Sequence, residues 1–389
     1  MLVPRLPRAL LVVYGTTLAD TLGYTLMIPL LSVVAKEYGA PDTILGSLLS
    51  IPAVCSTLAA PVWGKLSDRI GRKTVIVTAQ FLSLAGYLLL AFSHSLLLVF
   101  VSRVISGLGG GSLGSVEAFI ADVTSVEDRD AAYAMYGAVF GLGFIVGPVM
   151  AGALISHGIG FPFLLAAALE LANIVFTLRF LSIRRQTLSH TSFFDSLRAL
   201  SKPGIKGLLE CHFLFILAVV CFLANFELYL ERVLHAGVVA SSWLLASAGA
   251  IGGFALLLLI TPPVKALGER RIAQLGLTLS IGAYALLFAV NRLSVFWVVL
   301  VIWATGSALT LPALTTLLSE YVEALERGAI MGLTDSLYSL AMIVGPSAGS
   351  AIIAGNPRLL GTLPLFAAIA AWFVFARSPQ PKAASPPPA

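Results

Sequence analysis

Twelve apolar stretches, each about as long as a bilayer is thick, follow one another along this chain. A helix that crosses the hydrocarbon core needs about 20 mainly apolar residues, because that core is about 30 Å deep. The stretches occupy residues 9–35, 42–63, 74–92, 95–117, 131–155, 161–181, 208–230, 240–260, 272–290, 294–318, 328–354 and 360–377. They predict an all-α membrane protein of twelve transmembrane helices, since lipid offers the backbone no outside hydrogen-bond partner. With 58% hydrophobic and 11% charged residues, the chain has too little charge to clothe a globule in water, where about 25% is usual. Soluble enzyme, nucleic-acid binder and disordered scaffold are therefore excluded as readings of the whole chain. The basic start, Met1 to Arg8, runs into the first stretch with no small-residue cleavage site, which predicts a retained first span.

Orientation follows from where Lys and Arg fall. With the N-terminus in the cytoplasm, the cytoplasmic side collects 19 of them, and the other side only Lys36, Arg232, Arg292 and Arg358. Arg103 is left inside a span. Both termini are thus expected in the cytoplasm, and the net charge of +5 is accounted for by topology without a nucleic-acid partner. Cys55, Cys211 and Cys221 lie in apolar runs with neither a disulfide framework nor metal-ligand spacing.

The chain repeats itself. Ile145-Val146-Gly147-Pro148 in span 5 recurs as Ile343-Val344-Gly345-Pro346 in span 11, an offset of 198 residues. Ile70-Gly71 after span 2 matches Leu267-Gly268 after span 8, an offset of 197. Two agreeing offsets predict two pseudo-symmetric six-helix halves, residues 1–181 and 208–377, joined by a linker at 182–207. A proline-rich, disordered tail is expected over 378–389. Parallel halves with a midplane site between them are one transporter design.

Specific motifs sit on this frame. Gly64-Lys65-Leu66-Ser67-Asp68-Arg69-Ile70-Gly71-Arg72-Lys73 resembles the loop 2–3 signature of the major facilitator superfamily. The run from Gly143 through Gly147-Pro148 to Gly152 resembles the span 5 antiporter motif of its drug:proton antiporter branch, departing from it at Ala151, where glycine is usual. Arg103 with Gly107 is similar to the span 4 motif of that branch. The resemblance implies a major facilitator fold, with a conformational latch on the cytoplasmic side built from Gly64, Asp68, Arg69, Gly71 and Arg72. Asp122 and Arg129 resemble the matching elements after span 4 and would join it. Lys265 stands where Asp68 would repeat, which implies a one-sided latch. Asp20 lies nine residues before Pro29, and Asp335 ten before Gly345. Both spacings resemble those of vesicular amine transporters, in which these aspartates are functional.

Charges inside spans cost at least about 2.5–3.5 kcal/mol each at a helix centre, so each is a functional candidate. Asp20 is about 17 Å into span 1 and Arg103 about 12 Å into span 4 from the opposite side, at 1.5 Å per residue. In a core about 30 Å deep these depths nearly coincide, so the two are expected to interact near the midplane, directly or through water. The competing reading makes Arg103 a structural pin bonded to backbone carbonyls. Met331, Tyr338 and Met342 share the Asp335 face of span 11, and Tyr24 and Met27 share the Asp20 face of span 1. Carboxylates flanked by rings and thioethers suit a hydrophobic organic cation, although each such ring or thioether is also ordinary helix-packing material. Glu227, with Asn225 beside it and Glu231 one turn on, either borders the outer cavity or caps an exposed helix end. Glu170 with Asn173 in span 6 is given little weight, because the resemblance implies that the third helix of each triplet mainly supports from outside. His212 is expected at a cytoplasmic helix end and out of any proton relay.

These residues point to a secondary transporter that exports hydrophobic cations or amines in exchange for protons by alternating access. Asp20, Arg103, Asp335 and Glu227 carry the charge. Protons and a small molecule are the partners, with the lipid bilayer around a monomer, and no cofactor or metal is called for. Short loops without glycosylation sequons on the outer side fit a bacterial inner membrane. The rival readings are a neutral or anionic solute held by Arg103, and a non-transporting receptor or lipid scramblase on the same fold. An enzyme is disfavoured by the lack of HExxH or an intramembrane His pair, and ATP-driven pumping by the lack of a phosphate-binding loop.

Overall fold

The computed structural model describes residues 8–110, 126–181, 204–259, 267–321 and 327–379, with positions 116, 119, 120, 123 and 124. These residues form helices α1 (Arg8–Glu37), α2 (Asp42–Ile70), α3 (Arg72–Ala91), α4 (Leu96–Gly110), α5 (Val126–Leu154) and α6 (Gly160–Phe180). They continue with α7 (Ile205–Ala224), α8 (Val238–Leu259), α9 (Glu269–Leu286), α10 (Leu293–Glu320), α11 (Arg327–Gly355) and α12 (Thr362–Arg377). Among the described residues, 11 helical segments are long and apolar enough to cross a membrane. The fourth span is described as a helix over Leu96–Gly110, and part of its expected remainder lies outside the described residues. The chain is therefore an all-α, multi-pass membrane protein, as the apolar stretches predict.

Two departures from the expected spans are local. Span 7, read as continuous from 208 to 230, starts at Ile205 and breaks at Asn225. Asn225 adopts φ −106°, ψ 9°, and a nine-residue segment, Phe226–Leu234, resumes beyond it. At the break the Asn225 side chain donates Nδ2 to the carbonyl of Pro346 at 3.2 Å. The earlier start also moves His212 away from the helix end. It lies about two turns inside α7 and is buried, with Nδ1 lacking a partner among the described residues.

The repeat has a structural counterpart at its turns. Gly71 (φ 93°, ψ 149°) precedes α3, and Gly268 (φ 77°, ψ 151°) precedes α9. Both sit in the left-handed half of φ space, where a side chain is strained, so the sharp turn at each place requires glycine. Prolines Pro148 and Pro346 lie inside α5 and α11 at matching positions.

Helix contacts divide the chain into two compact units. One comprises Met1–Leu188, Leu223–Ala250 and Met342–Arg358, and the other Ser189–Phe222, Ile251–Ala341 and Leu359–Ala389. In the first, α1 lies against α5 and α6, α3 against α4 and α6, and α2 against α4. Leu10, Val13, Ile76, Phe119 and Leu181 form a buried cluster there, with the Tyr14 hydroxyl donating to Ala132 O at 3.1 Å. In the second, α9 lies against α10 and α12. Leu209, Phe215, Leu277, Leu314 and Phe375 are buried together in it. Lipid tails are as apolar as these side chains, so close van der Waals fit, not water exclusion, holds helix to helix here.

Candidate functional site

The site is assembled in the first unit around the midpoint of α1. Asp20 is half-buried on α1. Gly23, one turn on, faces the Tyr87 hydroxyl of α3, which stands where a Cβ at that position would fall. Tyr87 is itself buried and lies in the electrostatic field of Glu170, Asp20 and Arg103. These four groups, from α1, α3, α4 and α6, thus converge on one region. Arg103 is only 4% exposed. Its Nε donates to Ser102 Oγ at 3.3 Å, its Nη1 contacts Met27 Sδ, and its Nη2 has no partner among the described residues. No ion pair within 4.0 Å joins Asp20 to Arg103. Tyr87 is their common neighbour, and Met27, two turns beyond Asp20, takes the guanidinium.

A polar layer backs this region. Gln80 Nε2 on α3 donates to Thr177 Oγ1 at 3.0 Å and to Thr16 Oγ1 at 3.4 Å, and Thr16 Oγ1 is 3.3 Å from Asn173 Oδ1. Glu170 is 1% exposed, with Asn173 one turn away. Sequence reasoning set Glu170 aside as a supporting residue, yet its helix face is the one turned to α1 and α3. The signal available was its charge inside a span.

The glycines of the span 5 motif seat α5 on α1 beside Asp20. A Cβ at Gly143 would stand 2.6 Å from Thr21 Cγ2, and one at Gly147 would fall on Thr25 Oγ1 and 3.1 Å from Leu22 O and Leu26 N. Thr25 Oγ1 also donates across the helices to Gly143 O at 2.9 Å. Thr21 and Thr25 were not singled out from the sequence, although they flank Asp20 at one and five residues. Gly152, at the far end of the motif, meets Ser242 of α8 instead, with Cβ to Cβ 2.8 Å. One turn from Asp20, the Tyr24 hydroxyl reaches Met342 Sδ of α11 at 3.8 Å, and its ring lies 6.4 Å from that of Phe144. This brings together two members of the expected aromatic and thioether wall.

Toward the α1–α2 turn the same unit is closed. Lys36 forms an ion pair with Glu231, and Arg232 Nη2 lies 2.7 Å from Asp42 Oδ2. The hydrogen bond to Asp42, and then its charge, hold the Arg232 guanidinium above its ordinary pKa. Ser50 Oγ and Ser347 Oγ are 3.1 Å apart, and a Cβ at Gly46 would stand 2.6 Å from Ser347 Cα. Behind this seal, Glu227 is 4% exposed, and its Oε2 has no partner among the described residues. It lines a small cavity of about 10 Å³, room for about one water molecule, with Ser32, Leu45, Asn225 and Leu228. Glu227 is thus buried and does not sit at an exposed helix end. Exposed ion pairs are worth about 0.2–1 kcal/mol each. Lys36→Gln combined with Arg232→Gln is accordingly expected to raise labelling of a Ser50→Cys reporter by a membrane-impermeant maleimide roughly twofold to thirtyfold.

In the second unit, Asp335 is exposed on α11, and Tyr338, 40% exposed, stands within its field. The Met331 side chain lies outside the described residues. At the α2–α3 turn, Gly64 and Arg69 are exposed, and Arg72 Nη1 donates to Ser67 Oγ at 3.2 Å across Gly71. Asp122 and the side chains of Asp68 and Arg129 lie outside the described residues.

A multi-pass helical protein that holds ionisable groups inside its spans belongs, by fold and site, to the membrane transporters of small molecules. The sequence pattern of the Major Facilitator Superfamily matches residues 13–346 and 208–389, and the chain belongs to that family. It is 28% identical over 359 residues to the class C tetracycline resistance protein of Escherichia coli, covering 90% of each. It is 28% identical over 337 residues to multidrug resistance protein 1 of Bacillus subtilis (strain 168), covering 84% of this chain and 85% of that protein. The crystal structure of a bacterial homologue of the human lysosomal transporter Spinster has the same fold, with a TM-score of 0.79 at 16% identity, over 95% of this chain and 96% of that one.

Proposed function

We propose that the chain is a proton-coupled antiporter that exports hydrophobic cationic or amine compounds across a bacterial inner membrane. The observation that carries this reading is the half-buried Asp20 carboxylate inside α1, unpaired by Arg103 and one turn from the Tyr24–Met342 contact. A desolvated carboxylate can bind either a proton or an organic cation, but not both at once, and that competition couples the two fluxes. Tetracycline and multidrug resistance relatives support export as the direction. Asp335 is the second carboxylate offered to the cation, with Tyr338 beside it, and Glu227 the third, near the outer seal.

The two six-helix halves, 1–181 and 208–377, are the moving bodies in this proposal, with both termini cytoplasmic and the protein acting as a monomer. The Lys36–Glu231 and Asp42–Arg232 pairs then close the outer side, while Asp68, Arg69, Arg72, Asp122 and Arg129 latch the cytoplasmic side in the opposite state. The seating of Gly143 and Gly147 on α1 blocks proton leak past Asp20.

The test is proton release from the purified protein, in weak buffer, on addition of lipophilic amines. Release that depends on amine and is lost in Asp20→Asn or Asp335→Asn supports antiport and identifies the carboxylate. A second reading has one observation in its favour: the buried, unpartnered Nη2 of Arg103 is a donor available to a neutral or anionic solute. No release with any amine, from folded protein, selects that reading.

A further inference from the structure

The antiport reading leaves one buried acid of the first unit without a role. Glu170 sits in the middle of α6, 1% exposed, and apart from the Asn173 amide one turn away no hydrogen-bond donor reaches its carboxylate among the described residues. Two more buried polar atoms of this unit are also unpartnered among the described residues: Gln80 Oε1 on α3 and Arg103 Nη2 on α4. A carboxylate left ionised at this depth with a single amide donor bears most of the cost of its buried charge. It is relieved only by a proton or by a cation brought close.

The charged surroundings are specific. From α1, Glu170 faces Asp20, in whose field it lies. From α3 it faces Tyr87, and Arg103 of α4 acts on the same tyrosine. Among the residues whose side chains are described, α5 adds only Tyr133 and Tyr136, beyond the charged run at its start, and α6 itself only Arg179, near its end. Two carboxyls that interact across a helix interface do not titrate independently, because ionising one raises the cost of ionising the other.

We propose that Glu170 is a second proton carrier of the transport cycle, binding and releasing its proton in concert with Asp20 across the α1–α3–α6 interface. This rests on the antiport reading and extends it. When an organic cation arrives at Asp20, its positive charge offsets the repulsion between the two carboxylates. Glu170 can then lose its proton to water along with Asp20. One monovalent cation leaves for two protons entering, so each cycle carries one net positive charge inward and draws on the membrane potential as well as the pH gradient. Asn173, one turn away, is positioned to receive the carboxyl in either state.

The experiment counts protons released per amine bound, using tetraphenylphosphonium and a lipophilic amine as probes on the full-length protein in weak buffer. Wild type is expected to release about two, Glu170→Gln about one, and Glu170→Asp more than Glu170→Gln. A ratio that is the same in wild type, E170Q and E170D overturns the inference while leaving antiport at Asp20 intact. No release from wild type overturns both. Infrared difference spectra between acid and alkaline buffer decide the matter if E170Q does not fold. A carboxylic-acid C=O band that differs between wild type and E170D and vanishes in alkaline buffer supports a working proton carrier. A band that persists throughout shows a permanently protonated structural acid and overturns the inference.

Discussion

Asp20→Asn is expected to abolish amine-driven proton release and to weaken amine binding by about tenfold to a hundredfold. A hydrogen bond to a charged group contributes about 1.5–3 kcal/mol, and each 1.4 kcal/mol is a factor of ten in affinity. The side chains are nearly isosteric, and no ion pair within 4.0 Å depends on the Asp20 carboxylate, so the fold has little to lose. Wild-type affinity for the amine should rise with pH, because fewer protons compete for the carboxylate. In the Asn variant that slope should be flat. Calorimetric binding at several pH values, beside a pH-electrode trace of release, measures both. Unchanged release in Asp20→Asn would move the proton to Asp335, and an unchanged pH slope would remove competition as the coupling mechanism.

Gly147→Leu is expected to have the largest effect on the fold of the motif and on its seal. The first atom of any side chain there lands on Thr25 Oγ1 and 3.1 Å from the backbone of Leu22 and Leu26, and backbone cannot swing aside as a side-chain tip can. Overpacking of this kind costs about 1–3 kcal/mol. The α1–α5 contact must widen to admit the side chain, which also breaks the 2.9 Å bond from Thr25 to Gly143 O. Thermal unfolding in detergent should therefore shift downward, and proteoliposomes should show a passive proton leak above that of wild type. Gly141→Ala is the matched control, since a Cβ at Gly141 meets nothing within 4 Å on the same helix. A tight, stable Gly147→Leu protein would show that the glycine contact does not form the seal.

The spans were legible because lipid forces a single solution on the backbone, so that uninterrupted apolar length is itself a structural signal. Gly71 and Gly268 were legible as a repeated pair, but the positive-φ turn that each makes was not read from the sequence. Glu170 was passed over because its place depends on which face of α6 meets α1, and no periodicity reveals a helix's partner. The contact made by Asn225 escaped for a related reason. Its side chain is drawn off by Pro346, 121 residues away, and nothing in the local sequence announces that carbonyl. Lys36 and Glu231 are likewise 195 residues apart, and each looks alone like an ordinary solvated helix end. Asp20 and Arg103 were found by the cost of burying charge, but their relation through Tyr87 was not, because a tyrosine in an apolar run reads as packing.

The two ion pairs near the α1–α2 turn are contributed by adjacent residues of opposite sign, Glu231 and Arg232, which hold a lysine and an aspartate on either side of that turn. The group as a whole is electrically neutral. Its separation would therefore carry no net charge through the transmembrane field, which acts at about 2.3 kcal/mol per elementary charge per 100 mV. Membrane voltage then has no direct hold on this seal. Ionic strength does, because the pairs are partly exposed and salt screens them over about 8 Å under physiological conditions. A rise in ionic strength on that side of the membrane would loosen this closure without changing a residue of it.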